Sequence, residues 1–367
     1  MADYSSGDYL YSVATRADEP VVRDILARIS MGGMMRLSLR REPDAFAADF
    51  GALAQGYILA RDRHSGAWIG LCERQVREVF VNGVVTRLPY LAALRVLPEF
   101  RNRVRALRGG FEAVRRLLAR PGDLCWSLTS VMDDNHAARR VLTARLSGMP
   151  RYEPAGEFST FALAAARGAD CERATAADLP GIAGLLLERA VRQQFSSHWS
   201  ADMLRTLADT DRLKPEDYLL LRRGSRIEGC VAVWDQSAYR QVVVTGYAPW
   251  IARFRPLINL GARLARRPAL PAPGERLRLA YLSHFALRDE NPADFARLLA
   301  AGRAEAFRRG IATVLTGCAF THPLAQTVRA HARVREFRSQ LYAVYWPEDE
   351  APRIDPDLPI APELALL

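Results

Sequence analysis

Apolar residues recur along this chain in a pattern that spells the same order of elements twice. Tyr11-Ser-Val-Ala-Thr15-Arg-Ala-Asp18 reads as a short strand running into a helix cap, and Val22, Ile25, Leu26 and Ile29 then follow at helical spacing. Cys171-Glu-Arg-Ala-Thr175-Ala-Ala-Asp178 repeats that opening, with Leu179, Ile182, Leu185 and Leu186 behind it. In the first copy, residues 57–61, 68–76 and 84–91 read as successive strands, with Asn82-Gly83 as a two-residue hairpin turn. In the second, residues 218–222 and 227–234 flank Gly224-Ser225 in the same way, and residues 277–287 and 312–318 supply further strands. A helix through Phe295, Leu298, Leu299 and Phe307 closes at Gly310.

One stretch carries chemistry. The apolar run Leu91-Ala-Ala-Leu-Arg-Val96 has strand composition, Pro98 stops the ladder, and helical spacing resumes from about Leu107 to Leu118. The geometry is strand, loop, helix. The first N–H groups of such a helix lack partners and carry partial positive charge, so they suit a pyrophosphate. Between Arg95 and Arg120 stand eight arginines and two glutamates, a bias that favours a polyphosphate ligand.

Val96-x-Pro98-x-x-Arg101-x-x-Val104-x-Ala106 resembles the acetyl-CoA motif of the GNAT superfamily of N-acyltransferases, in which a strand ending V-x-P precedes R/Q-x-x-G-x-G/A. Val104 departs from the pattern. It stands at the first glycine, where a left-handed backbone would cost a β-branched residue about 1–2 kcal/mol. Gly109 and Gly110 offer an alternative place for close backbone approach. Further on, residues 124–131 alternate as a strand, and Asn135-x-x-Ala138-x-x-x-Leu142 resembles the later family motif N-x-x-A-x-x-x-Y. Leu142 replaces the tyrosine that often protonates the leaving thiolate. The resemblance implies an α/β (α+β) protein of two tandem GNAT-like domains, each a mixed, mostly antiparallel central sheet flanked by helices. Residues 1–168 would form the first and 169–346 the second, with a Pro-rich acidic extended tail at 347–367. It also implies acetyl-CoA or another acyl-CoA as co-substrate, held by Leu94, Val96, Arg101, Asn102, Arg103, Val104, Arg105, Ala106, Gly109 and Asn135. The implied reaction is direct transfer to a primary amine on a small molecule or peptide, without a metal. The alternative is a non-catalytic acyl-CoA sensor.

The second copy diverges where that chemistry sits. Arg288-Asp289-Glu290-Asn291 follows its strand, and two acids in the phosphate position repel pyrophosphate, so a single site in the first half is expected. Acid and base candidates there are Tyr90, Glu73 and Asp134, with Glu78 and Asp133 beside them. Residues 249–267 form an Arg-rich amphipathic insertion, read as a surface helix and loop in preference to a membrane or lid element.

Composition bounds the rest. The 367 residues exceed one typical domain, and 49% hydrophobic with 25% charged residues is a globular balance. The net charge of +10 rests almost wholly on arginine, Lys214 being the only lysine, and no nucleic-acid-binding module accompanies it. Five scattered cysteines form no C-x-x-C pair, and the six histidines show no metal spacing. The first residues lack signal-peptide character and no run reaches membrane-span length, so a cytoplasmic protein without a membrane partner is expected, with oligomerisation left open.

Overall fold

The computed structural model describes residues 3–101, 103–168, 170–264, 269–331 and 334–367. The first half runs β1 (Tyr4–Ser6), β2 (Tyr9–Val13), α1 (Glu19–Arg28), β3 (Ser30–Met31), β4 (Met35–Arg40), β5 (Ala54–Asp62), β6 (Trp68–Val81) and β7 (Val84–Val96). It continues with α2 (Val104–Leu118), β8 (Ser127–Met132), α3 (His136–Leu142) and β9 (Arg151–Ala164). The second half runs β10 (Glu172–Arg173), α4 (Leu179–Ala190), α5 (Ala201–Thr210), β11 (Tyr218–Arg223), β12 (Arg226–Trp234), β13 (Gln241–Tyr247) and α6 (Pro249–Leu264). It ends with β14 (Leu279–Leu287), α7 (Pro292–Arg308), β15 (Thr313–Ala319), α8 (Pro323–Arg329) and β16 (Arg335–Tyr345).

Local chemistry accounts for the repeat. Thr15 with Asp18 and Thr175 with Asp178 form equivalent capping boxes ahead of α1 and α4. Asn82 and Gly83 both take positive φ, 53° and 76°, as a primed hairpin turn between β6 and β7 requires.

Thirteen strands form one sheet in the order β1-β2-β5-β6-β7-β8-β16-β9-β15-β14-β12-β11-β10. The halves exchange their last strands: β9 pairs with β15 of the second half, and β16 pairs with β8 of the first. β9 and β16 meet antiparallel at the centre, from Arg335↔Ala162 to Tyr345↔Arg151. Helices cover both faces. In the first half α1 packs on one face over Tyr57, Leu59 and Leu71, and α2 on the other over Tyr11, Ile58 and Cys72. A separate three-stranded sheet, β13-β4-β3, joins the halves outside the main one. The segment read as an extended tail is docked rather than free: Ile354, Ile360 and Leu367 pack against the core, and Ala365 and Leu366 are buried.

Candidate functional site

β7 and β8 run parallel and then part. They pair at Tyr90↔Leu128, and the Thr129 hydroxyl donates to the Leu91 carbonyl at 2.8 Å. From Ala92 onward, among the described residues, β7 pairs only with β6, leaving a V-shaped opening. At its mouth the β6–β7 register jumps from Glu73↔Ala92 to Leu71↔Arg95, so Ala93 and Leu94 together oppose Cys72. This is a bulge, and Ala93 takes φ +48° in it. Such a bulge disrupts the ladder locally and leaves its extra residue unpaired.

Pro98 leads into α2, whose first turn carries no acid and whose N-cap, Arg103, makes no side-chain cap bond. The N–H groups of Val104 and Arg105 open the helix without intrahelical partners. Val104 is helical, so the expected glycine-like strain does not arise at this position. A cavity of about 180 Å³ runs beneath this end of α2. Leu94, Val96, Arg101, Arg103, Val104 and Ala106 all line it. Of the remaining residues expected at the cofactor, Asn102 lies outside the described residues, and Arg105 is exposed on the helix start. Gly109 packs closely on β2: a Cβ there would stand 2.4 Å from the Tyr11 hydroxyl, which donates to the Ala106 carbonyl. Asn135 caps α3, its side chain accepting from the Ala138 N–H at 3.2 Å, and does not line the cavity. Arg95, which the motif did not single out, does line it, with Nε buried and without a partner among the described residues. A second cavity of about 250 Å³ opens at the far end of α2, and Phe111 and Val114 wall both.

On the opposite face, β6 presents Glu73, Gln75 and Arg77 at alternate positions, all buried. Glu73, 1% exposed, accepts from the amides of Gln55 and Gln75 and lies 3.5 Å from Arg41. Burial alone would raise its pKa, but Arg41, the two amides and Arg240 outweigh it and hold the carboxyl below its ordinary value. Burial presses Arg77 down to about 10. Tyr90 sits at the apex of the opening, opposite Leu128. Burial pushes its pKa up against the pull of Arg240 and Arg77, so it stays protonated at neutral pH. The other acids stand apart: Glu78 pairs with His198 at 3.0 Å, Asp133 lies 3.5 Å from Arg139, and Asp134 is exposed. Arg41, Gln55 and Arg240 were illegible as site residues because the fold gathers them from distant positions, Arg240 from the second half.

The second half repeats the backbone and closes it. β14 and β15 pair from Leu279↔Thr313 to Tyr281↔Leu315 and then part. The β12–β14 register jumps at His284, which takes φ +50°. Here the bulge N–H is occupied, donating to Glu363 of the docked tail at 2.9 Å. The His284 ring, driven to a pKa of about 3 by burial, packs against Trp199, 4.6 Å between ring centroids. α7 is capped by Asn291, starts with Pro292 and carries Asp294 in its first turn. Arg288 is drawn off to Glu188 and Glu228.

A splayed parallel pair, a bulge at its mouth and a helix opening just beyond define the GNAT fold, and this chain carries it twice within one sheet. No protein-family model matches the sequence, and no curated protein matches it. Among solved structures the chain is similar to a GCN5-related N-acetyltransferase from Sphaerobacter thermophilus, at 12% identity and TM-score 0.51 over 92% of this chain and 96% of that one. It is also similar to Saccharomyces cerevisiae N-myristoyltransferase with bound myristoyl-CoA, at 8% identity and TM-score 0.61 over 98% and 90%. A GCN5-related glucosamine N-acetyltransferase region of a fungal multi-domain GH3 β-N-acetylglucosaminidase gives 12% and 0.58, over 93% of this chain and 38% of that one. At these identities the likeness is one of fold. Among the described residues, no group of three or more His, Cys, Asp or Glu is placed to hold a metal ion.

Proposed function

We propose that this chain is an N-acyltransferase that moves an acyl group, acetyl or longer, from acyl-CoA to a primary amine by direct attack, with acyl-CoA held by the first half. The observation that carries this reading is the contrast between the halves: open bulge and uncapped helix in one, occupied bulge and capped helix in the other. Pyrophosphate goes to the start of α2 with Arg101 and Arg103, and the thioester carbonyl to the bulge N–H groups at Ala93 and Leu94. The bound ammonium first gives a proton to solvent; the neutral amine then attacks the carbonyl carbon, a C–N bond forms, the C–S bond breaks, the nitrogen gives its second proton to solvent, and the thiolate takes up a proton.

The polar face of β6 is the acceptor side. Glu73 is held too acidic for an effective general base at neutral pH, so its role is to anchor the incoming ammonium beside the bulge. Tyr90, protonated at the apex, is the donor for the thiolate in place of the tyrosine that Leu142 replaces. Amines on a small molecule or a peptide terminus both fit this chemistry.

The test pairs thermal stabilisation by acetyl-CoA and longer acyl-CoAs with thiol release over an amine panel. Ligand at about 100 times Kd should stabilise by about 2.7 kcal/mol. The Arg101→Ala, Arg103→Ala double variant should lose most of that effect. Stabilisation without turnover on any amine favours a sensor, and no stabilisation by any acyl-CoA rejects both readings.

A further inference from the structure

The insertion between β13 and β14 lies off the main sheet and has no part in the acyl-CoA site. Its helix, α6, packs inward through Ile251 and Ile258 onto Val244 and Tyr247 of β13 and Met35 and Leu37 of β4. Arg255 Nε and the Asn259 amide both donate to the Leu270 carbonyl, and the Leu270 N–H donates back to Asn259, so the helix is strapped to the segment that follows it. Its other face is bare. Trp250, Phe254, Leu257, Leu260 and Leu264 follow at steps of three and four and are 56%, 47%, 66%, 54% and 80% exposed. Met34, whose carbonyl accepts from Ala248 at the helix start, adds a sixth exposed apolar side chain. A contiguous apolar stripe of this size marks a contact surface.

Charge selects the occupant. From residue 241 to 274 there is no Asp or Glu, while residues 249–267 carry five arginines. A second copy docked through a two-fold axis would set this acid-free helix, with Arg253 exposed on it, against itself, like charges opposed and no carboxylate of the helix between them. An anionic lipid surface answers both features, taking the apolar stripe into the acyl boundary and the exposed Arg253 among headgroup phosphates. Among the described residues no helix is long and apolar enough to cross a membrane, which fits a helix lying in the interface. We propose that α6 seats this protein on anionic membrane surfaces as a peripheral, interfacial helix. Periodicity alone placed the segment at the surface, and the exposed stripe revises that to a lipid-facing surface.

The experiment is co-sedimentation of the full chain with vesicles of phosphatidylcholine alone and with about one-third phosphatidylglycerol. Binding is expected to the anionic vesicles only and to be released at about 0.5 M salt. The Leu257→Asp, Leu264→Asp variant should bind at least about tenfold more weakly with an unchanged melting temperature. Leu257→Ser, Leu264→Ser is the second variant should the aspartates impair folding. Brominated lipid should quench emission from the parent more than from Trp250→Phe. The inference is overturned if the folded parent ignores anionic vesicles, or if both double variants bind as the parent does. It is equally overturned if the stripe proves to mediate a dimer that Leu257→Asp dissolves, or if neutral vesicles bind as well as anionic ones.

Discussion

Replacing Glu73 by Gln tests the buried polar cluster and the acceptor side at once. The carboxylate is 1% exposed, accepts two amide hydrogen bonds and faces Arg41 at 3.5 Å. At an effective dielectric near 20, a unit charge pair at 3.5 Å is worth about 5 kcal/mol before desolvation is subtracted. Gln keeps the shape but leaves Arg41 and Arg77 buried with less compensation, so the expected loss is about 2–4 kcal/mol, near the cost of breaking a buried pair. Because the folded pKa of Glu73 lies below its ordinary 4.5, its contribution is fully present above that value and fades as pH falls through the folded value. Urea unfolding from pH 7 down to pH 3 should therefore show the parent–variant gap narrowing only below about pH 4.5. In the Arg41→Met background the same substitution should cost at least about 1 kcal/mol less, since the partners share one interaction. In turnover assays the amine KM should rise about tenfold or more with acyl-CoA binding unchanged, as loss of a charge-assisted contact predicts. Equal stability of parent and variant at pH 7 would refute the electrostatic account, and an unchanged amine KM the anchoring role.

Other expectations follow from single positions. Ala93→Gly removes a left-handed penalty of about 1–2 kcal/mol against an unfolded-chain cost of about 0.4–1 kcal/mol, so chemical denaturation should show a small net stabilisation with turnover retained. Gly109→Ala should destabilise by about 1–2 kcal/mol in thermal melts despite better helix propensity, because its methyl meets the Tyr11 hydroxyl; in a Tyr11→Leu background it should become stabilising. Phe111→Ala should cost about 3–5 kcal/mol and, by joining the two cavities beneath α2, move acyl-CoA preference toward longer chains in competition assays. Residues 1–168 expressed alone should aggregate or stay unfolded by gel filtration and circular dichroism, since β8 and β9 both lose β16 and bare their edges; a soluble, cooperative fragment would contradict this.

Local signals were legible where neighbours in sequence are neighbours in space. The capping boxes at Thr15 and Thr175, the Asn82-Gly83 hairpin, and the strand, loop and helix from Leu91 to Leu118 all depend on contacts within a few residues. Tertiary pairing left no such trace. β4 and β13 find each other across some two hundred residues, from Gln241↔Arg40 to Tyr247↔Met35. Nothing in the pattern of β9 or β16 says which half supplies its partner, because the same alternating face satisfies either edge. The bulge at Ala93 was hidden for a different reason: only a register read against a known neighbour shows the extra residue, and alanine gives no hint of a positive φ. The docking of the tail leaves no trace in its proline content, since Ile360 and Leu366 need no regular structure to bury their side chains.

Superposing the two bulges in register shows how the second half reaches the polar cluster at Glu73. Tyr90 and Tyr281 stand three residues before Ala93 and His284, and pair with Gln75 and Trp234. Glu73 corresponds to Ala232, so the carboxylate at the bulge is replaced by a methyl and the amide beside it by an indole. The second opening is thereby made apolar enough to hold His284 neutral. It leaves the bulge N–H to be satisfied from outside, which Glu363 does. The polarity lost there reappears across the seam. Arg240 stacks over Tyr281 at 5.7 Å, and its guanidinium donates to Ala365 and Leu367 of the tail while lowering the pKa of Glu73 in the first half. The residues that plug one opening thus orient a cation that charges the other. The closed second bulge is on this account part of how the polar cluster around Glu73 is built, and substitutions in the tail should register in the ionisation of Glu73 before they register in the sheet.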